Sequence, residues 1–361
     1  MARKLKSDRI LFTATALLIC VSVVMVYSAS AAYALDKYGQ AYMFLTKQAL
    51  WTALGLAGVA VAMRIDYRTY RNEAFIWFLT GAVGVLLVLV LFSTPVNGAR
   101  RWFNLGGLGI QPSELAKIAA ILFAALMLER RMHRIDELSY SLLPIGIVVG
   151  AMSGLILLEP DLGTALSLLL IVTTMVFAAG LNYRYLAGAA LVIVPVLYFL
   201  IMNAPYRQRR LLAFWNPWAD PLGEGFQVIQ SLIAVGSGGV FGRGLMGQRG
   251  FLPEPHTDFI YAVIGEETGL IGATTVLICF CVIAWRGLRI ALRAPDAFGS
   301  LLALGLTTMI AVQALVNISV VLGLLPTKGI PLPLVSSGGS SLLISLLGVG
   351  VLLNVSQHET G

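Results

Sequence analysis

Runs of about twenty apolar residues, parted by short polar stretches, recur along this 361-residue chain. Each run matches the length a helix needs to cross a bilayer. The pattern predicts ten helices, over residues 10–34, 43–63, 74–94, 112–129, 141–158, 163–181, 184–203, 259–285, 297–324 and 337–356. The fourth is the most polar, because Pro112, Ser113, Glu114 and Lys117 open it. The fold class that follows is an all-α polytopic membrane protein, one integral domain over 1–361, with a long segment at 204–258 between the seventh and eighth spans. Inside that segment, 227–235 has the modest amphipathic pattern of a helix lying along the membrane surface. No internal repeat is visible, so an inverted-repeat transporter is not supported.

Composition agrees with this pattern. Only 12% of residues are charged and the mean hydropathy is +0.85, which a soluble domain of this size could not bury. The first apolar run, after MARKLKSDR, is too long for the core of a signal peptide and lacks an evident cleavage site, so it reads as the first span. Orientation follows from the cations. With the N-terminus cytoplasmic, and with the long segment 204–258 left out because long loops translocate largely regardless of charge, the inner loops and helix edges hold Arg3, Lys4, Lys6, Arg9, Arg64, Arg68, Arg71, Arg130, Arg131, Arg134, Arg184, Arg286, Arg289 and Arg293, against Lys37, Lys47, Arg100, Arg101 and Lys328 outside. That bias puts both termini in the cytoplasm and the motif-like segments 95–111, 159–162, 204–258 and 325–336 outside. The net charge of +7 is mostly loop anchoring and gives no sign of nucleic-acid binding. Cys20, Cys279 and Cys281 lie in apolar runs without metal-ligand spacing, so neither a disulfide framework nor a zinc site is expected.

Chemistry is therefore expected on the outer side. The stretch LPEPHTDFIYAVIGEETGLIG crowds Glu254, His256, Asp258, Glu266 and Glu267 into an apolar helix and its mouth, and ionisable groups near a membrane are functional candidates by default. Asp258, at the mouth, is placed to act as a general base. Glu266 and Glu267 diverge around the helix and suit interhelical hydrogen bonds; Glu254 and His256 form the rim. Arg100 and Arg101, beside Trp102, suit a diphosphate at the membrane surface or plain lipid headgroups. Glu114 and Lys117 are neighbours on one helical face, either an ion pair or members of a site. Asp161 caps the following helix or lines a cavity. Arg207, Arg209 and Arg210 cluster before Phe214, Trp215 and Trp218. The Gly-rich GSGGVFGRGLMG lacks the strand–helix context of a dinucleotide fold and reads as a hinge or close-approach loop. In LLPTKGIPLPLVSSGGSSLL three prolines break the helix, and Lys328, Ser336 and Ser340 supply donors near a helix N-terminus.

Five motifs in order, GARRWFNLGGLGIQPSELAK, LLEPDLGTAL, YRQRR with WADPLGEGFQVIQSLIAVGSGGVFGRGL, LPEPHTDFIYAVIGEETGLIG and LLPTKGIPLPLVSSGGSSLL, make the chain resemble the SEDS family, the FtsW/RodA proteins. PTKG and IGEE are closer to its division branch, FtsW. The resemblance implies a peptidoglycan glycosyltransferase acting on lipid II, a disaccharide-pentapeptide carried on undecaprenyl diphosphate. It implies transfer of C1 of a donor sugar to the 4-hydroxyl of an acceptor, with inversion and release of undecaprenyl diphosphate. The family's essential aspartate falls on Asp258, with Arg101, Glu114 and Lys117 as further site members. It also implies a class B penicillin-binding protein as transpeptidase partner, alongside other division or elongation proteins. No cofactor is certain; a divalent cation, Mg2+ or Mn2+, could bridge the substrate diphosphate and carboxylates, although the sequence holds no dedicated metal cage. The competing expectations are a lipid II flippase, which calls for polar residues through the inner half of the bundle, and a non-catalytic scaffold, which leaves Asp258 unexplained.

Overall fold

The structure, a computed structural model, describes residues 7–95, 98–105, 108–247, 252 and 255–359. Arg3, Lys4, Lys6 and the rim residue Glu254 lie outside the described residues. The chain is mostly helical. In order it forms α1 (Arg9–Tyr38), α2 (Met43–Ala62), α3 (Glu73–Val90), a hairpin of β1 (Phe103–Leu105) and β2 (Leu108–Ile110), α4 (Pro112–Arg131), α5 (Leu138–Leu158), α6 (Leu162–Ala178), α7 (Tyr183–Met202), α8 (Pro205–Trp215), α9 (Phe226–Ser237), α10 (Ile260–Arg293), α11 (Ala297–Val321) and α12 (Gly339–Ser356).

A helix stands at each of the ten expected positions. Among the described residues, eight are long and apolar enough to cross a membrane, so the protein is a multi-pass membrane protein; the 17-residue α6 and the polar α4 fall outside that group. The reason α4 tolerates polarity is its place. It is enclosed by α3, α5, α6, α11 and α12, and most side chains from Pro112 to Leu128 are buried. A helix wrapped by protein meets no lipid, so its charges need protein partners rather than apolar substitutes. At the opposite extreme, α7 packs on α8 and exposes apolar side chains such as Leu191, Val194 and Phe199.

Helix starts are written in the sequence. Asp8, Asp161 and Asp296 each accept a hydrogen bond from a backbone N–H three residues on, capping α1, α6 and α11. Between α2 and α12 the backbones approach through small residues: a Cβ on Gly55 would lie 2.2 Å from Leu346 Cδ1.

The single helix expected near 259–285 is two helices that meet at a kink. Gly269 adopts φ 66° and ψ −164°, which breaks the hydrogen-bond ladder of α10. The Gly-rich loop after α9 fills the gap. Arg243 N and Gly244 N donate to Glu266 O and Glu267 O at 3.0 Å each, and Leu270 N and Ile271 N donate to Gly239 O and Val240 O at 2.9 and 3.3 Å. The loop thus satisfies the backbone groups that the break releases, as buried irregular backbone requires. Glu266 pairs with Arg243 at 3.3 Å, and Ser28 donates to the Glu267 carboxylate at 2.6 Å. Glu267 is thus tied to α1 by an interhelical hydrogen bond of the kind expected, whereas Glu266 is tied to the Gly-rich loop. The 227–235 stretch, as part of α9, packs against α10 and α11, and Ser231 Oγ donates to Val321 O at 2.7 Å.

Candidate active site

Two adjoining cavities open where the loops before β1, α6, α8, α10 and α12 converge. The larger, about 620 Å³, is lined by Arg101, Trp102, Gln111, Asp161, Tyr206, Arg210, Gln227, Asp258, Lys328 and Ser337 among others. The smaller, about 100 Å³, adds Arg207 and the apolar Leu162, Ile201, Leu211 and Ile330. Arg101, Asp161, Tyr206, Arg210 and Lys328 line both, so the two share a wall.

Asp258 stands just before the first turn of α10, where a helix N-terminus favours a carboxylate. Its backbone carbonyl accepts from Asn317 Nδ2 at 2.8 Å. Its carboxylate lies against Gly329, where an added Cβ would come within 2.9 Å of Oδ2. The neighbouring Lys328 is next to Asp161 and Arg207, and burial is the main effect lowering its pKa. Arg101 is held by carbonyls, Nε donating to Glu159 O at 2.9 Å and Nη2 to Pro160 O at 2.5 Å, with Asp161 Oδ2 at 3.9 Å from Nη1. Asp161 accepts from Thr164 N and Thr164 Oγ1 at 3.1 and 2.8 Å, so it both caps α6 and faces the cavity. Arg207 is fixed by Tyr206 Oη at 2.7 Å and Leu200 O at 2.8 Å, and Arg210 lies 3.9 Å from Glu224.

The other residues singled out from the sequence stand elsewhere. Arg100 donates to Leu91 O at 2.9 Å, away from both cavities. Glu114 and Lys117 are 3% exposed and pair at 2.9 Å inside the bundle, where Lys117 Nζ also donates to Gln313 Oε1 at 2.9 Å. His256 is buried with its ring 4.2 Å from that of Phe44, and burial pulls its pKa down to about 4, so the ring is neutral. Ser336 Oγ donates to Thr257 O at 2.5 Å and accepts from Leu332 N at 2.8 Å, while Ser340 Oγ accepts from Gln111 N at 3.2 Å. These serines lace loops together rather than line the space. Glu159 is fully buried, and neither carboxyl oxygen has a hydrogen-bond partner. Burial first, then Asp161, push it up to about 8 against the pull of Arg101.

Sequence reasoning passed over Tyr206, Gln111, Gln227, Asn317 and Gln313. The first three sit in stretches dominated by arginine or apolar neighbours; the last two are isolated polar residues four apart in an apolar helix, a spacing that does put them on one face. The β1–β2 hairpin that delivers Trp102 was also missed, although the Gly-Gly pair between FNL and LGI is a hairpin signal.

Chemically, the space offers a carboxylate at a helix mouth facing Arg101, Arg210 and Lys328, with an apolar side chamber bordered by Arg207. That suits an anionic head carrying an apolar tail. Among the described residues no group of three His, Cys, Asp or Glu stands together as a metal cage. Asp161, engaged by Thr164 and 3.9 Å from Arg101, does not fit the role of ligand to a resident divalent ion.

A model of the family FTSW_RODA_SPOVE, cell cycle proteins, matches residues 8–361. A probable peptidoglycan glycosyltransferase FtsW of Geobacter metallireducens is 44% identical over 98% of this chain and 96% of its own length. Stage V sporulation protein E of Bacillus subtilis is 42% identical over 99% of both. Among solved structures, a chain from a study of the structural coordination of polymerization and crosslinking by a peptidoglycan synthase complex superposes with a TM-score of 0.81, at 35% identity over 98% of both chains. The rod shape determining protein RodA of Thermus thermophilus gives 0.73 at 31% identity over 99% of both.

Proposed function

The chain belongs to the FtsW, RodA and SpoVE family and is a peptidoglycan glycosyltransferase of cell division or cell shape; on that premise we propose that it polymerises lipid II at the cavity around Asp258. Asp258 takes the proton from the 4-hydroxyl of the acceptor sugar. The oxygen attacks C1 of the donor, the bond from C1 to the diphosphate oxygen breaks, and the configuration at C1 inverts. The proton remains on the Asp258 carboxyl and the electron pair leaves with undecaprenyl diphosphate. Arg101, Arg207, Arg210 and Lys328 hold the diphosphate, where fixed cations favour the charge that builds on the leaving group. The smaller chamber, with Ile201, Leu162, Leu211 and Ile330, receives the start of the polyprenyl tail and opens beside the exposed helix α7.

The observation that carries this reading is the juxtaposition of Asp258 with three cations across one space, in which the other acidic lining residue, Asp161, is engaged as a helix cap. The ten helices span the membrane with both termini inside, and the segment 204–258 and the cavity lie outside. Every loop that forms the cavity is one that the distribution of lysine and arginine assigns to the outer face. A class B penicillin-binding protein accompanies the chain. This fits the neighbouring structure's origin in a complex that coordinates polymerization and crosslinking. No step is assigned to a divalent cation.

The test is to supply lipid II to the purified protein, with and without its transpeptidase, and to look for glycan polymer on a gel. In parallel, lipid II movement is followed in liposomes. Polymer that is lost in Arg210→Ala and in Lys328→Ala supports the assignment. Translocation without polymer under every condition would make the chain a flippase.

A further inference from the structure

Asp258 is held from behind by a file of side chains that reaches back to the buried Glu114–Lys117 pair. Lys117 Nζ donates to Gln313 Oε1 at 2.9 Å. Gln313 Nε2 points at Pro331 O, 3.3 Å away, and at Ser341 Oγ, 3.4 Å away. Four residues further along the same face of α11, Asn317 Nδ2 bridges two carbonyls, Asp258 O at 2.8 Å and Ile330 O at 2.7 Å. Both α11 side chains are buried. The segment they grip, 328–331, is the one that carries Lys328 into the cavity and sets Gly329 against the Asp258 carboxylate.

We infer that Gln313 and Asn317 are positioning residues for glycosyl transfer: they fix the Asp258 carboxylate relative to Lys328, and through them the Glu114–Lys117 pair acts on the reaction without touching substrate. This rests on the catalytic reading of Asp258. The geometry argues for it in three ways. Neither Glu114 nor Lys117 lines either cavity. Among the described residues, the neutral acceptor that Lys117 reaches is on α11, not in the cavity. The Asn317 amide bonds the HTDF loop at Asp258 itself and, at the same time, the loop bearing Lys328 at Ile330. A misplacement of about 1 Å in such a site costs on the order of 100-fold in rate. Ser336 Oγ on Thr257 O and Ser337 N on His256 O stitch the same two loops at the next residues, so removal of Asn317 shifts Asp258 without unfolding the loops.

The experiment uses the full-length protein with its transpeptidase and lipid II. Asn317→Asp keeps the shape but loses the donor. Gln313→Glu keeps an acceptor for Lys117 and loses the donor to Pro331 O. Leu306→Ala, on α11 but remote from the file, serves as a control for loss of thermal stability. For Asn317→Asp and Asn317→Ala, kcat is expected to fall roughly 10- to 100-fold, with KM within about threefold of wild type. The acid limb of the pH–rate profile should shift as Asp258 moves relative to Lys328. Gln313→Glu should show the same pattern to a smaller degree, and Leu306→Ala should move neither the limb nor kcat per folded molecule. Normal kcat and an unmoved acid limb in folded Asn317→Ala would overturn the inference, as would losses that match Leu306→Ala at equal stability. Should Asp258→Ala polymerise normally, the underlying reading fails instead, which separates the two failures.

Discussion

Replacing Glu159 by glutamine should make the protein more stable, and more so as pH rises. Glu159 is fully buried between α5 and α6, and its carboxyl oxygens have no hydrogen-bond partner. Its carboxyl is pushed from the ordinary 4.5 up to about 8, by burial and then by Asp161. The unfolded chain releases this proton near 4.5, whereas the folded chain keeps it to about 8. The folded state therefore binds more protons across that window and loses stability as pH climbs through it. At 1.36 kcal/mol per pH unit the penalty is roughly 3 kcal/mol at pH 7 and levels off on the order of 5 kcal/mol above pH 8. These are upper bounds, because local relaxation and water entry reduce them. Glutamine has the same shape and never ionises. Thermal unfolding in detergent should give equal midpoints for the two proteins near about pH 4.5, and a midpoint several degrees higher for Glu159→Gln near about pH 8.5. A difference that does not change with pH, or a variant less stable at the alkaline end, would refute the reasoning.

Three further outcomes follow from the packing. Lys117→Met strands the Glu114 carboxylate inside the bundle and should cost about 3–5 kcal/mol of stability in addition to activity, whereas the double variant Glu114→Gln with Lys117→Met should recover most of the stability; thermal melts of the three proteins decide it. Gly242→Ala places a Cβ 2.1 Å from Glu267 O at φ +80°, which should pull the Gly-rich loop off the break in α10 and lower the melting midpoint by the equivalent of about 2 kcal/mol or more. Gly236→Ala, in α9 with open space around it, should be neutral or slightly stabilising.

The bundle was legible because a span in lipid has one length and one polarity, so apolar runs located each of the ten helices to within a few residues apart from the longer α10. What the sequence hid is where protein, not lipid, is the solvent. Helix α4 is the most polar of the ten because other helices enclose it, and hydropathy alone cannot distinguish that from a weak span. The break at Gly269 was invisible because its released backbone groups are satisfied by a loop some thirty residues earlier, a pairing that local pattern does not encode. Within the site, Asp258, Arg101, Asp161, Arg207, Arg210 and Lys328 stood out as charges at loop positions of an apolar chain, and the two adjoining cavities collect them. His256, Ser336 and Ser340 were singled out by the same logic of polarity near a motif. Their partners turn out to be a phenyl ring and backbone groups, which only the fold could reveal.

The most direct test of the account is lipid II polymerisation by Asp258→Asn, reconstituted with its transpeptidase and measured alongside lipid II binding. Asparagine keeps the size and the loop contacts but cannot accept the acceptor's proton. The account predicts no glycan polymer across the neutral pH range, with lipid II bound within a few-fold of wild type. Polymer formed at the wild-type rate by a folded Asp258→Asn protein would contradict it.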